Sequence, residues 1–164
     1  PDAVKFQCVK SDQRIPYLQT EKVDLLISVL GVTVDRAKVI DFSEPYFAST
    51  TVFLAPKGHK FQNFADLHGK ILLLSSGTPW ITWLQRCEQG IEITQYDSIP
   101  NQLEALNAGR GVALLNDSTL LYPIAAKNPN FVVTGPDVKE QGYSWAFGVK
   151  KGDFLRRRGI LCRN

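Results

Sequence analysis

The chain has 164 residues, of which 44% are hydrophobic and 21% charged, with a formal net charge of +3. That much apolar mass buries a sizeable core and excludes a disordered chain. The charge is too small and too scattered for a nucleic-acid-binding stripe, and no apolar run approaches the roughly 20 residues of a membrane helix.

In chain order, VKFQCV alternates as a half-buried strand does, and RIPYLQTEK follows as a short helix or turn. VDLLISVL is a continuous apolar run, which predicts a strand covered on both faces and therefore a parallel sheet. Thr33-Val34-Asp35-Arg36 has the pattern of a helix opening, with DRAKVI as a short helical turn. TTVFLAP is a strand ended by Pro56, Lys57 and Gly58. FADLHG is then a short helix, KILLLSS a buried strand, and SGTPWITWLQRCEQG a helix with proline in its first turn and glycine at its end. IEITQY, GVALLN and FVVTGP read as strands alternating with the helices SIPNQLEALNAGR and TLLYPIAAKNP. YSWAFGVKK is an alternating strand, and GDFLRRRGILC follows as a helix whose Arg156-Arg157-Arg158 triplet forms a solvated face. Strand and helix take turns throughout, the mark of an α/β fold.

Two units emerge from this order. TVFLAPKG carries the chain out of a first unit and YSWAFGVKKGD returns it, so the expected division is a partial first lobe over 1–54, a crossing at 55–58, a second lobe over 59–142 and a return segment over 143–164. Two lobes joined by two extended crossings form a hinge around a cleft. Cys8, Cys87 and Cys162 lie far apart without CxxC spacing or a histidine pair, so neither a zinc site nor any other metal or cofactor is expected. One bridge with a spare thiol and buried free thiols both fit the spacing. His59 and His68 lie in loop-like stretches without a catalytic neighbour in sequence.

RIPYLQTEKVDLLIS, VTVDRAKVIDFSEPYF, FADLHGKILLLSSGTPW and QYDSIPNQLEALNAGRGVALLNDSTLLYPIAAKNPNF, in that order, resemble the extracytoplasmic amino-acid solute-binding proteins of bacterial ABC transporters. The resemblance runs to about Lys151 and implies a periplasmic-binding-protein-like type II fold. It also implies delivery of a polar amino acid to a membrane permease, outside the cytoplasm, without enzymatic chemistry. PDAVKFQCVK has neither the basic nor the apolar region of a signal peptide. Against the family pattern the chain looks truncated at both ends. The missing first strand would lie between VKFQCV and VDLLISVL, an opening that invites a homodimer or a domain-swapped oligomer through the first lobe.

A free amino acid carries a carboxylate and an ammonium on one carbon. Arg36 supplies a planar fork for the carboxylate, and the turn Gly31-Val32-Thr33 beside it adds backbone N–H groups. The competing reading pairs Arg36 with Asp35, Asp41 or Glu44 on the surface. Family members usually place a hydroxyl residue where Gly31 stands. From the second lobe, Ser76 and Thr78 offer N–H groups and a hydroxyl at the positive end of a helix, although Pro79 removes one donor. Asp117, at the carboxyl end of a strand, is the residue the resemblance assigns to the ammonium; its alternative is a helix cap. Arg14 is matched to a ligand side-chain carboxylate, with a surface role as alternative, and Trp80 to a pocket wall, whereas Trp83 and Tyr46 are assigned to the core. Two other functions compete: a self-associating remnant without ligand capture, and an enzyme of the cyclohexadienyl dehydratase kind, for which Glu44 and Glu104 are poor acids because both look exposed.

Overall fold

A computed structural model describes residues 4–153, and at 136, 137 and 139–143 it describes the backbone. The predicted helix after Gly152, its arginine triplet and Cys162 lie outside the described residues. Within them the chain divides into two compact units, one of 4–48 with 144–153 and one of 49–143. The division falls between Ala48 and Ser49. Strand β2 (Phe47–Pro56) pairs Thr51 to Leu54 with Asp117 to Leu114, which makes most of it part of the second unit's sheet.

The second unit is a mixed sheet of β2, β3 (Ile71–Ser75), β4 (Glu92–Tyr96), β5 (Ala113–Asp117) and β6 (Phe131–Trp145), in the order β4-β3-β5-β2-β6. Strand β3 runs parallel to both β4 and β5, and β2 closes on β5 antiparallel. The run KILLLSS behaves as a doubly covered strand should, since Leu72, Leu73 and Leu74 are all fully buried. Leu72 and Leu74 face Trp80 and Leu84 of helix α3 (Pro79–Cys87). Leu73 and Leu114 face Ala105 and Leu106 of α4 (Ile99–Asn107) and Leu121 of α5 (Ser118–Lys127). Each of these leucines contributes on the order of 1.5–3 kcal/mol by leaving water.

This topology fixes a special place in the sheet. From β3 the chain steps through α3 to β4, then returns through α4 across β3 to reach β5 on its other side. The strand order therefore reverses between the carboxyl ends of β3 and β5, where open α/β sheets leave a crevice for ligands.

The first unit comprises α1 (Arg14–Gln19), α2 (Val34–Ala37), β1 (Ile40–Phe42) and β7 (Gly148–Lys150), around a core of Leu18, Leu26, Leu30 and Ile40. Strands β1 and β7 pair antiparallel. Two strand predictions fail here. VKFQCV forms no strand, and Phe6 is 90% exposed. VDLLISVL keeps Leu26 and Leu30 buried but forms isolated contacts instead of a ladder, a bridge from Leu26 to Gly148 and a bond from the Ala146 N–H to the Leu30 carbonyl. An apolar run becomes a ladder strand only where neighbours meet its N–H and C=O groups, and the described residues supply a partner on one side alone. Two further differences are β1, which sequence reading left unassigned, and the merging of FVVTGP with the start of YSWAFGVKK into the single strand β6.

Cys8 and Cys87 are free and exposed, not buried.

Candidate functional site

Each unit carries its own set of candidate residues. In the first unit they gather on residues 28–36. Thr33 caps α2 by accepting the backbone N–H of Arg36 on its hydroxyl at 3.2 Å, and the Arg36 guanidinium folds back so that Nη1 donates to the Gly31 carbonyl at 2.9 Å. Gly31 lies opposite Trp145 in a bridge whose hydrogen bonds are made by the flanking residues, Val32 N–H to Ser144 O and Ala146 N–H to Leu30 O. In such a pair the central residue's own N–H and C=O point to the other edge, which is why the Gly31 carbonyl meets the arginine. The guanidinium is half-buried, and a carbonyl of its own turn fixes its direction. Asp35 holds Lys38 at 2.7 Å and Asp41 holds Lys151 at 2.8 Å.

Arg14 donates to the Val29 carbonyl at 3.1 Å, and the Tyr46 hydroxyl to the preceding carbonyl, Ser28, at 2.6 Å. These two side chains pin the backbone directly ahead of Gly31. Burial raises the Tyr46 phenol above its ordinary pKa, with the nearby Arg14 charge opposing. Tyr46 nonetheless shows 45% of its surface, stacks on Phe147 at 4.6 Å, and is not the core residue expected.

In the second unit the candidates stand at the reversal point of the sheet. Ser75 ends β3, and the turn to α3 needs a left-handed residue, supplied by Gly77 at φ 74°. The predicted anion seat is thinner than expected. The Ser76 N–H is committed to the Tyr96 carbonyl at 3.0 Å, the Thr78 N–H turns back to Ser75 at 3.3 Å, and Pro79 has none. The Thr78 side chain, by contrast, occupies the cap position of α3 without making a cap bond. Asp117 repeats this pattern. It is 6% exposed, sits at the cap position of α5, and its carboxylate does not cap that helix. The cap alternative given for Asp117 thus fails.

Trp80 is corrected. At 3% exposed it belongs to the core with Phe53, Leu72 and Leu84, because it follows Pro79 on the face of α3 that covers the sheet. Trp83 packs against the same core, as expected. Glu44 and Glu104 are exposed, as read from the sequence.

Sequence reading missed a buried polar group beneath the site. Gln102 of α4 is fully buried and donates through Nε2 to the Ser75 hydroxyl at 2.9 Å; Asn116 Nδ2 donates to the same oxygen at 3.1 Å, and Asn116 Oδ1 accepts the Asp117 N–H at 2.8 Å. One signal was available: Gln102 shares the helical stripe of Ala105 and Leu106, so it is a polar residue on an apolar face.

The model of the bacterial extracellular solute-binding proteins, family 3, matches residues 2–157. The chain belongs to this family. It is 30% identical over 150 residues to the ABC transporter glutamine-binding protein GlnH of Bacillus subtilis (strain 168), covering 90% of this chain and 54% of that protein. It is likewise 30% identical over 145 residues to the ABC transporter arginine-binding protein 1 of Escherichia coli (strain K12), covering 88% and 58%. This family member thus spans somewhat more than half the length of the curated relatives it matches. Among solved structures, holo ArgBP from T. maritima superposes with a TM-score of 0.88 at 28% identity, over 95% of this chain and 69% of that one. A solute receptor for L-cysteine from Neisseria gonorrhoeae gives 0.90 at 29%, over 97% and 64%. The fold is periplasmic-binding-protein-like type II.

Proposed function

We propose that this family member binds a polar amino acid between its two units and presents it, outside the cytoplasm, to an ABC permease. Arg36 takes the α-carboxylate through its fork, the Thr78 hydroxyl adds a contact to the same group, and Asp117 takes the α-ammonium. Arg14 stands near the same backbone turn and meets a polar ligand side chain. Closure follows from differential contact: Arg36 belongs to one unit, Thr78 and Asp117 to the other, so a ligand touching all three favours the shut form. The observation that carries this reading is Asp117, a carboxylate 6% exposed at the sheet's reversal point. The names of the relatives, which bind glutamine and arginine, support the ligand class.

A thermal-shift screen against the standard amino acids tests it. A ligand at a hundredfold its dissociation constant adds about 2.7 kcal/mol of stability, worth roughly 5–10 °C for a chain of this size. A flat response to all of them, with calorimetry equally silent, overturns the reading. A second reading rests on the exposed Val4, Phe6 and Ile27 of the first unit, at 66%, 90% and 61%: self-association through that unit. Light scattering across a concentration series decides it, and a constant monomer mass overturns it.

A further inference from the structure

Gln102 is absent from every expectation above and touches none of the proposed ligand groups, yet it is the most completely buried polar side chain described, at 0% exposure. It lies on α4, which packs on the Leu73–Leu114 face of the sheet. Alternation along the strands puts Ser75 and Asn116 on this same face, and Asp117 on the opposite one. The parallel ladder between β3 and β5 runs through Leu74 opposite Leu115. One step further Ser75 and Asn116 are joined through side chains, Asn116 Nδ2 to Ser75 Oγ, with Gln102 Nε2 arriving at the same oxygen from the helix above.

This arrangement is costly for the fold. Gln102 Oε1 is buried without a hydrogen-bond partner. Turning the amide end for end would let Oε1 accept the Ser75 proton, and would leave Nε2 as the buried atom without a partner. In either orientation half of the amide is unsatisfied, a penalty that an apolar side chain of the same length would not incur. A buried polar group retained against its own solvation cost is better explained by what it orients than by stability.

We propose that Gln102 is a positioning residue for ligand capture. Together with Asn116 it clamps Ser75 where the β3–β5 ladder ends, and so fixes the start of the turn carrying Thr78 relative to Asp117, whose backbone N–H hangs on Asn116 Oδ1. This inference rests on the proposed amino-acid binding. Without the clamp the two strand ends move independently, and Thr78 and Asp117 lose the fixed spacing that a small zwitterion requires.

The test compares the full chain with Gln102→Met and with Ser75→Ala, the second attacking the clamp from its other end. The probe is whichever standard amino acid the thermal-shift screen finds for the unaltered chain, with affinity read by calorimetry and local order by amide hydrogen exchange. Expected for Gln102→Met are a melting midpoint equal to or above that of the unaltered chain, affinity about tenfold weaker, the equivalent of one net hydrogen bond, and faster exchange at Gly77 and Asp117 with Leu73 and Leu114 still protected. Ser75→Ala loses affinity by a similar factor. Unchanged affinity in either variant overturns the inference and leaves the binding reading standing. So does exchange that accelerates equally along β3 and β5, which would make Gln102 a stability residue only. An unaltered chain that binds no amino acid overturns both.

Discussion

Replacing Asp117 by asparagine isolates charge from shape. The side chain keeps its volume, the backbone N–H of residue 117 stays on Asn116 Oδ1 at 2.8 Å, and Thr51 remains its neighbour across the β2–β5 ladder. What disappears is one negative charge at a position 6% exposed, where water screens little. A hydrogen bond between charged groups contributes about 1.5–3 kcal/mol net against about 1 for a neutral one, and an ammonium, which only donates, still finds the asparagine carbonyl oxygen. The loss in binding is then about 0.5–2 kcal/mol, a dissociation constant raised roughly 2- to 30-fold. Isothermal titration calorimetry with the amino acid found by screening measures it, with the melting midpoint of the unliganded variant as the control for folding. A variant that folds as the unaltered chain does and binds with equal affinity refutes the assignment of Asp117 to the ammonium.

Arg36→Lys keeps the charge and loses the fork. Lysine cannot both hold the Gly31 carbonyl and offer two parallel N–H bonds to a carboxylate, so affinity should fall about tenfold or more in the same calorimetric assay. Gly135→Ala should destabilise the second unit by roughly 2 kcal/mol or more, read by urea denaturation, because residue 135 has φ 111° and a Cβ there would meet Phe53 Cδ2 at 2.6 Å. Asp66→Asn tests a local pH dependence. N–H groups of Gln62 and Asn63 hold the Asp66 carboxylate below its usual pKa of 3.8, so its contribution is complete above that value and is lost as pH falls through the lowered native one. The asparagine variant should therefore show a shallower loss of melting temperature on acidification from about pH 5 to pH 2, and an identical slope would refute the link.

How far the sequence carries depends on whether a signal is local. KILLLSS was legible as a buried strand because its burial is written into consecutive residues, and α3 because Pro79 marks its opening. The helix opening at Thr33 was legible for the same reason: its cap bond from the Arg36 N–H spans three residues. VKFQCV misled because alternation describes what a strand would do with partners and says nothing about whether partners are present. Trp80, matched to a pocket wall as a flat apolar surface, is turned inward by the packing of α3 on the sheet. Gln102, Ser75 and Asn116 are spread over 42 positions and meet only after β4 and α4 have been laid down between them.

The sequence by itself determined the alternation of strand and helix and the family pattern, since each is carried by short segments that are read one at a time. Tertiary structure alone decided that the Ser76 N–H is spent on Tyr96, that Thr78 and Asp117 stand at cap positions without capping, and that a buried amide ties their two strands together. Hydrogen-bond partners drawn from separate strands and helices are chosen by the register and direction of packing, and no pattern within a single segment records that choice.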